Sequence, residues 1–327
     1  MTPPETVRDN AAGDLSNALA ELEKEKGDPF STCHANFLER IGAAPVAHRL
    51  LPTWLAIAMA ATAGQLTWPL IAPLRRRALG QANLLRQAGF LLGPESDGSD
   101  VRRLARRAHV ERFIRAELLW PPRRPERVRV EGWEHLEAAR GVGHGAIVLT
   151  AHMGLAWLTL HTLLAKGINL YPVRWTHERD PASVSGFTCL RTNYICCRVE
   201  EAGGRWIARQ GAFPLLLALL ERGEACWMTL DNPGRMQTSL GGADVKLSSG
   251  PAALGVETGA PIVPCFGVRE GVSQVVRLFP LVRPTDFNGP EDLHAHLAGV
   301  LAEFIRTYPS QAVEQLARLC ATTVAAA

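Results

Sequence analysis

The chain has 327 residues, 47% of them hydrophobic, and carries 35 Lys and Arg against 32 Asp and Glu, a formal net charge of +3. That length and apolar content suffice for one large α/β domain with a helical annex, and the near balance of charge excludes a polycation. Seven cysteines, at 33, 189, 196, 197, 226, 265 and 320, are odd in number and show no C-x-x-C spacing, which argues for free thiols in a reducing compartment and against a disulfide framework or a zinc site.

Residues 1–45 read as a polar extension. Met1–Asp28 is net acidic and has no apolar core behind a basic start, so it is not a signal peptide; a short helix is predicted near Leu15–Lys26, ended by Gly27-Asp28-Pro29. Residues 46–127 are predicted to be helical and membrane-associated. Leu50–Leu74 is a run of 25 residues without a charge, bounded by His48-Arg49 and Arg75-Arg76-Arg77. Its length would span a bilayer, but Pro52, Pro69, Pro73 and Gln65 weaken it as a span. An interfacial helix fits better, with Trp54 and Trp68 at headgroup depth and the Arg triplet on phosphates; the competing reading is a core helix of a soluble domain. Val101–Trp120 alternates apolar and Arg positions at helical spacing. Between Arg75 and Arg129 fourteen Arg face six acids, an excess suited to anionic headgroups, although the bias is partly compositional because only four of the 35 cations are Lys. Pro121, Pro122 and Pro125 then break the chain.

From 128 to 327 the pattern changes to short β-rich runs separated by helix-length segments. The runs are Ala146–Thr150, Asn169–Trp175, Cys226–Leu230, Pro261–Val268 and Gln274–Phe279; the segments include Gly154–Ala165, Phe213–Arg222 and Pro251–Thr258. This alternation predicts a mixed, mainly parallel sheet flanked by helices. Ligands of such sheets bind beyond the carboxyl ends of the strands. Three blocks fall there. Ala146–Thr150 runs into Ala151-His152-Met153-Gly154, and a His at a strand exit can act as a general base, though alone it is more often structural. Cys226–Leu230 delivers Asp231 and then Asn232-Pro233-Gly234-Arg235, which reads as a tight turn. Leu247-Ser248-Ser249-Gly250-Pro251 reads as a capped helix start, with Pro at the first helical position and free backbone N–H groups.

In this order and spacing the blocks resemble the lipid A late-acyltransferase (lauroyl/myristoyl acyltransferase) family and related bacterial lysophospholipid-type acyltransferases. Arg75–Gly89 looks like that family's basic helix after its membrane segment. Tyr308-Pro309-Ser310-Gln311 looks like its C-terminal Tyr-Pro-x-Gln-Trp element, with Ala312 in place of the Trp. The resemblance implies a glycerolipid acyltransferase-like fold and transfer of a fatty acyl group from an acyl carrier protein or acyl-CoA thioester to a lipid-like acceptor. It also implies a seat on the cytoplasmic face of the inner membrane, with no tightly bound cofactor, no metal and no nucleic acid. Residue by residue it implies His152 as the base and Arg174 and Arg235 as substrate-binding groups; Ser249 and Gly250, at the helix start, can hold a substrate phosphate or merely begin the helix. Its His-x4-acid motif calls for a carboxylate at 157, where this chain has Trp157. Loss of the orienting acid can cost ~10⁴ in turnover by analogy with catalytic triads. Two outcomes follow: Asp231 takes over the orienting role, or the protein is a non-catalytic homologue that binds a lipid or acyl carrier. An enzyme re-purposed for a small-molecule metabolite is a further alternative. A hydrolase is disfavoured because no Gly-x-Ser-x-Gly elbow is present, and the glycines at 141, 143 and 145 precede a strand where a dinucleotide loop would follow one.

Overall fold

The computed structural model describes residues 52–71, 81–118, 127–174, 199–201, 203–208, 211–240 and 242–325. The N-terminal extension, the predicted helix near Leu15–Lys26 and the Arg75–Arg77 triplet lie outside them.

Helix α1 (Thr53–Thr67) continues into a 3₁₀ turn at Trp68–Ile71, and α2 (Gln81–Leu92) and α3 (Gly98–Glu117) follow. α1 buries Ile57, Ala60 and Gly64 against α3. A Cβ on Gly64 would sit 2.9 Å from the Val110 Cα, so glycine sets how closely these two helices approach. Trp54, Met59, Leu66 and Leu70 are left exposed. Trp68, expected at headgroup depth beside Trp54, is instead buried, its ring 5.6 Å from that of His109 on α3. The reason is helical phase: Trp68 falls one turn past Gly64, on the face that meets α3. No helix among the described residues is long and apolar enough to cross a membrane.

The rest is a layered α/β unit. In chain order come β1 (Arg129–Glu131), α4 (Trp133–Arg140), β2 (Ala146–Thr150), α5 (Ala156–Ala165), β3 (Leu170–Arg174), β4 (Ile207–Ala208) and α6 (Ala212–Glu221). Then follow β5 (Ala225–Thr229), β6 (Pro233–Leu240), β7 (Ala243–Leu247), α7 (Gly250–Thr258), β8 (Ile262–Glu270), β9 (Ser273–Leu278), α8 (Pro290–Thr307) and α9 (Pro309–Ala325). The main sheet has the order β1-β9-β8-β2-β5-β3-β4, and only the β8–β9 hairpin within it is antiparallel. The mixed, mainly parallel sheet read from the sequence is thus present. β2 is buried at every position because helices cover both faces of the sheet. Its successive side chains part accordingly. Ile147 and Leu149 join Leu216, Leu254, Leu297 and Phe304 of α6, α7 and α8 on one face; Val148 joins Leu136, Leu158 and Leu163 of α4 and α5 on the other. A third cluster ties Leu84, Leu104 and Ala108 of α2 and α3 to Val313 and Ala317 of α9.

The segment Asn232-Pro233-Gly234-Arg235 is not a tight turn: Pro233 opens β6, which pairs with β7 as a separate antiparallel hairpin. Its alternating exposed and half-buried residues carry no apolar run to reveal a strand. Cys226 and Cys265 are free and fully buried, and burial pushes both thiols up, which leaves them inert.

Candidate active site

The central strands β2 and β5 run parallel and in register, Thr150 opposite Thr229, and the Leu230 N–H donates to the Thr150 carbonyl at 2.9 Å. The residues just past these tips are therefore brought together. Asp231, with no exposed surface, accepts from the backbone N–H of His152 with both carboxylate oxygens, at 2.9 and 2.7 Å. Its Oδ1 also lies 2.9 Å from His152 Nδ1. An ionised carboxylate only accepts, so Nδ1 carries the proton and Nε2 keeps the basic lone pair. The imidazole is not enclosed: 43% of its side chain is exposed. Burial of the ring pulls its pKa down, but the charge and hydrogen bond of Asp231 outweigh this and leave it above the ordinary His value; the charges of Arg115 and Arg318 act in the lowering direction.

The turn that presents His152 is held tightly. Gly154 has φ +62°, and a Cβ there would lie 2.4 Å from the Gly267 carbonyl oxygen on β8. The Gly154 N–H donates to the Gln311 carbonyl at 3.1 Å, and the Leu155 N–H to the Gly267 carbonyl at 2.7 Å. Gln311 belongs to the Tyr-Pro-x-Gln element, whose task here is structural. Its side chain accepts from Arg269 N–H at 3.1 Å and donates to Arg269 O at 3.0 Å, while the Tyr308 hydroxyl donates to Glu270 at 2.7 Å. Ala312, where the family pattern has Trp, is fully buried.

Trp157 is turned away from this pair. It lies on α5, its ring stacked at 6.0 Å on Trp227 and tilted at 6.2 Å toward Trp206. Position 157 is taken up by aromatic packing, and the carboxylate in contact with His152 is Asp231. The other residues singled out by sequence are more dispersed. Ser249 makes no side-chain cap; Ser248 Oγ accepts the Gly250 N–H at 3.3 Å, and because α7 begins at Gly250, Pro251 is the second helical residue. This start lies against the Asp231 loop, since a Cβ on Gly234 would stand 2.6 Å from the Ser248 Cα. Arg235 is exposed on β6 and shares no hydrogen bond or ion pair with the His–Asp pair. Arg174 ends β3, which pairs with β5.

Sequence reasoning missed a polar face of α9. Glu314, 4% exposed, pairs with Arg115 of α3, whose Nη1 donates to the His152 carbonyl at 3.3 Å, and Gln315 Nε2 donates to the Asp231 carbonyl at 3.3 Å. The charges of Arg115 and Arg318 hold the Glu314 carboxyl below the usual carboxylate range against the opposing effect of burial. The available signal was the helical spacing of Gln311, Glu314, Gln315 and Arg318 in an otherwise apolar C-terminal helix.

The family model described as bacterial lipid A biosynthesis acyltransferase matches residues 108–313, well over half of the chain. Among solved structures the chain is similar to the 1-acyl-sn-glycerophosphate (LPA) acyltransferase PlsC from Thermotoga maritima, at 16% identity and a TM-score of 0.38, over 77% of this chain and 98% of that one. A comparison with curated proteins returned no match.

Proposed function

Because the chain belongs to the bacterial lipid A biosynthesis acyltransferase family, and so is an acyltransferase of lipid biosynthesis, we propose that His152 is its general base and Asp231 the acid that orients it. The observation that carries this reading is the 2.9 Å contact between His152 Nδ1 and a fully buried Asp231 carboxylate. With Nδ1 committed, Nε2 takes the proton from an acceptor hydroxyl as its oxygen attacks the thioester carbonyl. The tetrahedral intermediate collapses by breaking the C–S bond, and the imidazolium returns the proton to the leaving thiolate. The raised pKa of His152 suits both steps, since the base must hold the proton between them. The donor is an acyl carrier protein or coenzyme A thioester and the acceptor a lipid, glycolipid or related molecule. Arg174, Arg235, Ser249 and Gly250 are proposed to contact the substrates from the neighbouring strand ends and the α7 start.

The reaction is proposed to take place at the cytoplasmic face of the inner membrane. The exposed Trp54, Met59, Leu66 and Leu70 support this, together with a groove of about 600 Å³ beside them lined by Gln65, Trp68 and four arginines of α3, Arg102, Arg103, Arg106 and Arg107. Apolar side chains next to guanidinium groups match the order of acyl chains and phosphates at a bilayer surface. The test is acyl transfer by purified protein, offered acyl-CoA or acyl carrier protein with a panel of lipid acceptors. His152→Ala should remove transfer while leaving the circular dichroism spectrum intact; retained turnover would move the base elsewhere.

A further inference from the structure

Helix α9 meets the candidate site through one face, where two guanidiniums converge on a single buried carboxylate. Glu314 is buried and already neutralised by Arg115, which is occupied with the His152 carbonyl. Arg318, one turn further on, adds a second guanidinium to the same carboxylate at 2.9 Å, with 51% of its side chain exposed. Glu314 already has Arg115, and the Arg318 end of this i,i+4 pair stands half in solvent, where screening leaves its own contribution to stability small. The charge of Arg318 also acts against protonation of His152, as does that of Arg115. A second guanidinium on a carboxylate that already has one, half in solvent and beside the reacting pair, is accounted for by an anionic group arriving with a substrate. Glu314 engages one Nη of Arg318, and a guanidinium has five N–H donors in a fixed fork, so donors remain for the planar, bidentate contact that phosphate oxygens accept. Gln315, three residues before Arg318 on the same face, donates to the Asp231 carbonyl, which ties this part of α9 to the reacting pair. Glu314 and Arg318 both lie beyond the residues 108–313 that the family model matches.

We propose that Arg318 contacts a phosphate of one of the two substrates at the His152–Asp231 site, with Glu314 as the positioning residue that holds its guanidinium. The inference rests on the acyltransferase reading above. The phosphate has two possible sources, the phosphopantetheine arm of the donor or the headgroup of the acceptor. Equilibrium binding of four probes to the full-length protein by calorimetry separates them: octanoyl-CoA against octanoyl-pantetheine, and 1-octanoyl-glycerol 3-phosphate against 1-octanoylglycerol. Arg318→Gln is expected to weaken one phosphate-bearing probe about tenfold, the size of one lost charge-assisted bond, while its phosphate-free counterpart changes less than twofold. Arg318→Lys should recover part of the loss, and Glu314→Gln should weaken the same probe and not its counterpart. The affected pair identifies the source. The proposal is overturned if Arg318→Gln binds both phosphate-bearing probes as the wild type does, or loses the phosphate-free probe equally. A wild type that prefers neither phosphate-bearing probe overturns it too. Binding is read without turnover, so a failure of acyl transfer would count against the proposed function and leave this result standing.

Discussion

Replacing Asp231 by Asn probes the pair while keeping its shape. The wild-type carboxylate accepts from the His152 backbone N–H with both oxygens and from Nδ1 with one of them. An amide keeps one acceptor oxygen and puts an NH₂ donor where the other stood. If the oxygen stays with the backbone N–H, the NH₂ meets Nδ1, the ring must offer its lone pair there, and the proton moves to Nε2, the atom that has to be basic. Such a loss of tautomer control is worth ~10⁴ in turnover, about 5.5 kcal/mol of barrier at 1.36 kcal/mol per decade. The stability cost is smaller, roughly 1.5–3 kcal/mol for one charge-assisted bond. Both effects depend on pH. The folded-state pKa of His152 is raised, so the protonated ring contributes stability that is fully present below its unfolded value, about 6.5, and fades as pH rises through the folded value. The stability gap between wild type and variant should therefore be widest below about pH 6.5 and narrow above it. The acid limb of kcat/KM, which tracks deprotonation of the base, should lie above 6.5 in the wild type and shift to lower pH in the variant, where burial, Arg115 and Arg318 all act in the lowering direction. Initial rates across pH, with urea unfolding at matched pH, measure all three quantities. Turnover within tenfold of wild type, or an acid limb that stays put, would refute the assignment of Asp231.

Trp157→Glu should lower stability by roughly 1–3 kcal/mol, less than for a fully buried aromatic because Trp157 is half-buried; it breaks the stack on Trp227 and should not raise turnover, and faster transfer would show that position 157 still belongs to the catalytic set. Gly154→Ala should cost on the order of 2–4 kcal/mol, since it combines a left-handed backbone with a Cβ 2.4 Å from the Gly267 oxygen. An unchanged urea midpoint would mean that this turn is looser than its geometry. Changing Trp54, Leu66 and Leu70 together to Ser should reduce flotation with anionic vesicles at least tenfold, each buried apolar side chain contributing about 1.5–3 kcal/mol; equal flotation would count against α1 as the membrane-facing element.

Apolar runs made the centre of this fold legible in sequence. Ala146–Thr150 coincides with β2, and the other four runs agree with β3, β5, β8 and β9 to within two residues at either end. Strands buried on both faces leave continuous apolar stretches, and these are the central strands. β1 and β4, with three and two residues, are too short to show a pattern. β6 alternates polar with small side chains and begins at a Pro-Gly pair that reads equally well as a turn. The site divides in the same way. His152 and Asp231 were legible because each directly follows a buried strand, and β2 and β5 proved to be neighbours. Glu314 and Arg115 were not: the polar spacing of α9 marks a face, but an ion pair between distant helices leaves nothing in the sequence that names the partner. The meaning of Trp157 became clear only when its ring was found against Trp227 and Trp206.

The order in which the sheet is threaded bears on how the protein is made. Among the described strands β1 comes first in the chain and pairs only with β9, which comes last, and β8 must enter between β9 and β2. His152 and Asp231 are separated by 79 positions, and Gln315 follows Asp231 by another 84. A nascent chain thus exposes the unpaired margins of β1 and β2 until β5, β8 and β9 have emerged, which calls for slow assembly and for holding by chaperones. It also means that a product ending before Gln315 lacks a contact of the candidate site. His152 meets its carboxylate first, and the helix that backs both residues follows them in the chain, so a chain stalled between Asp231 and Gln315 holds the pair without its backing helix.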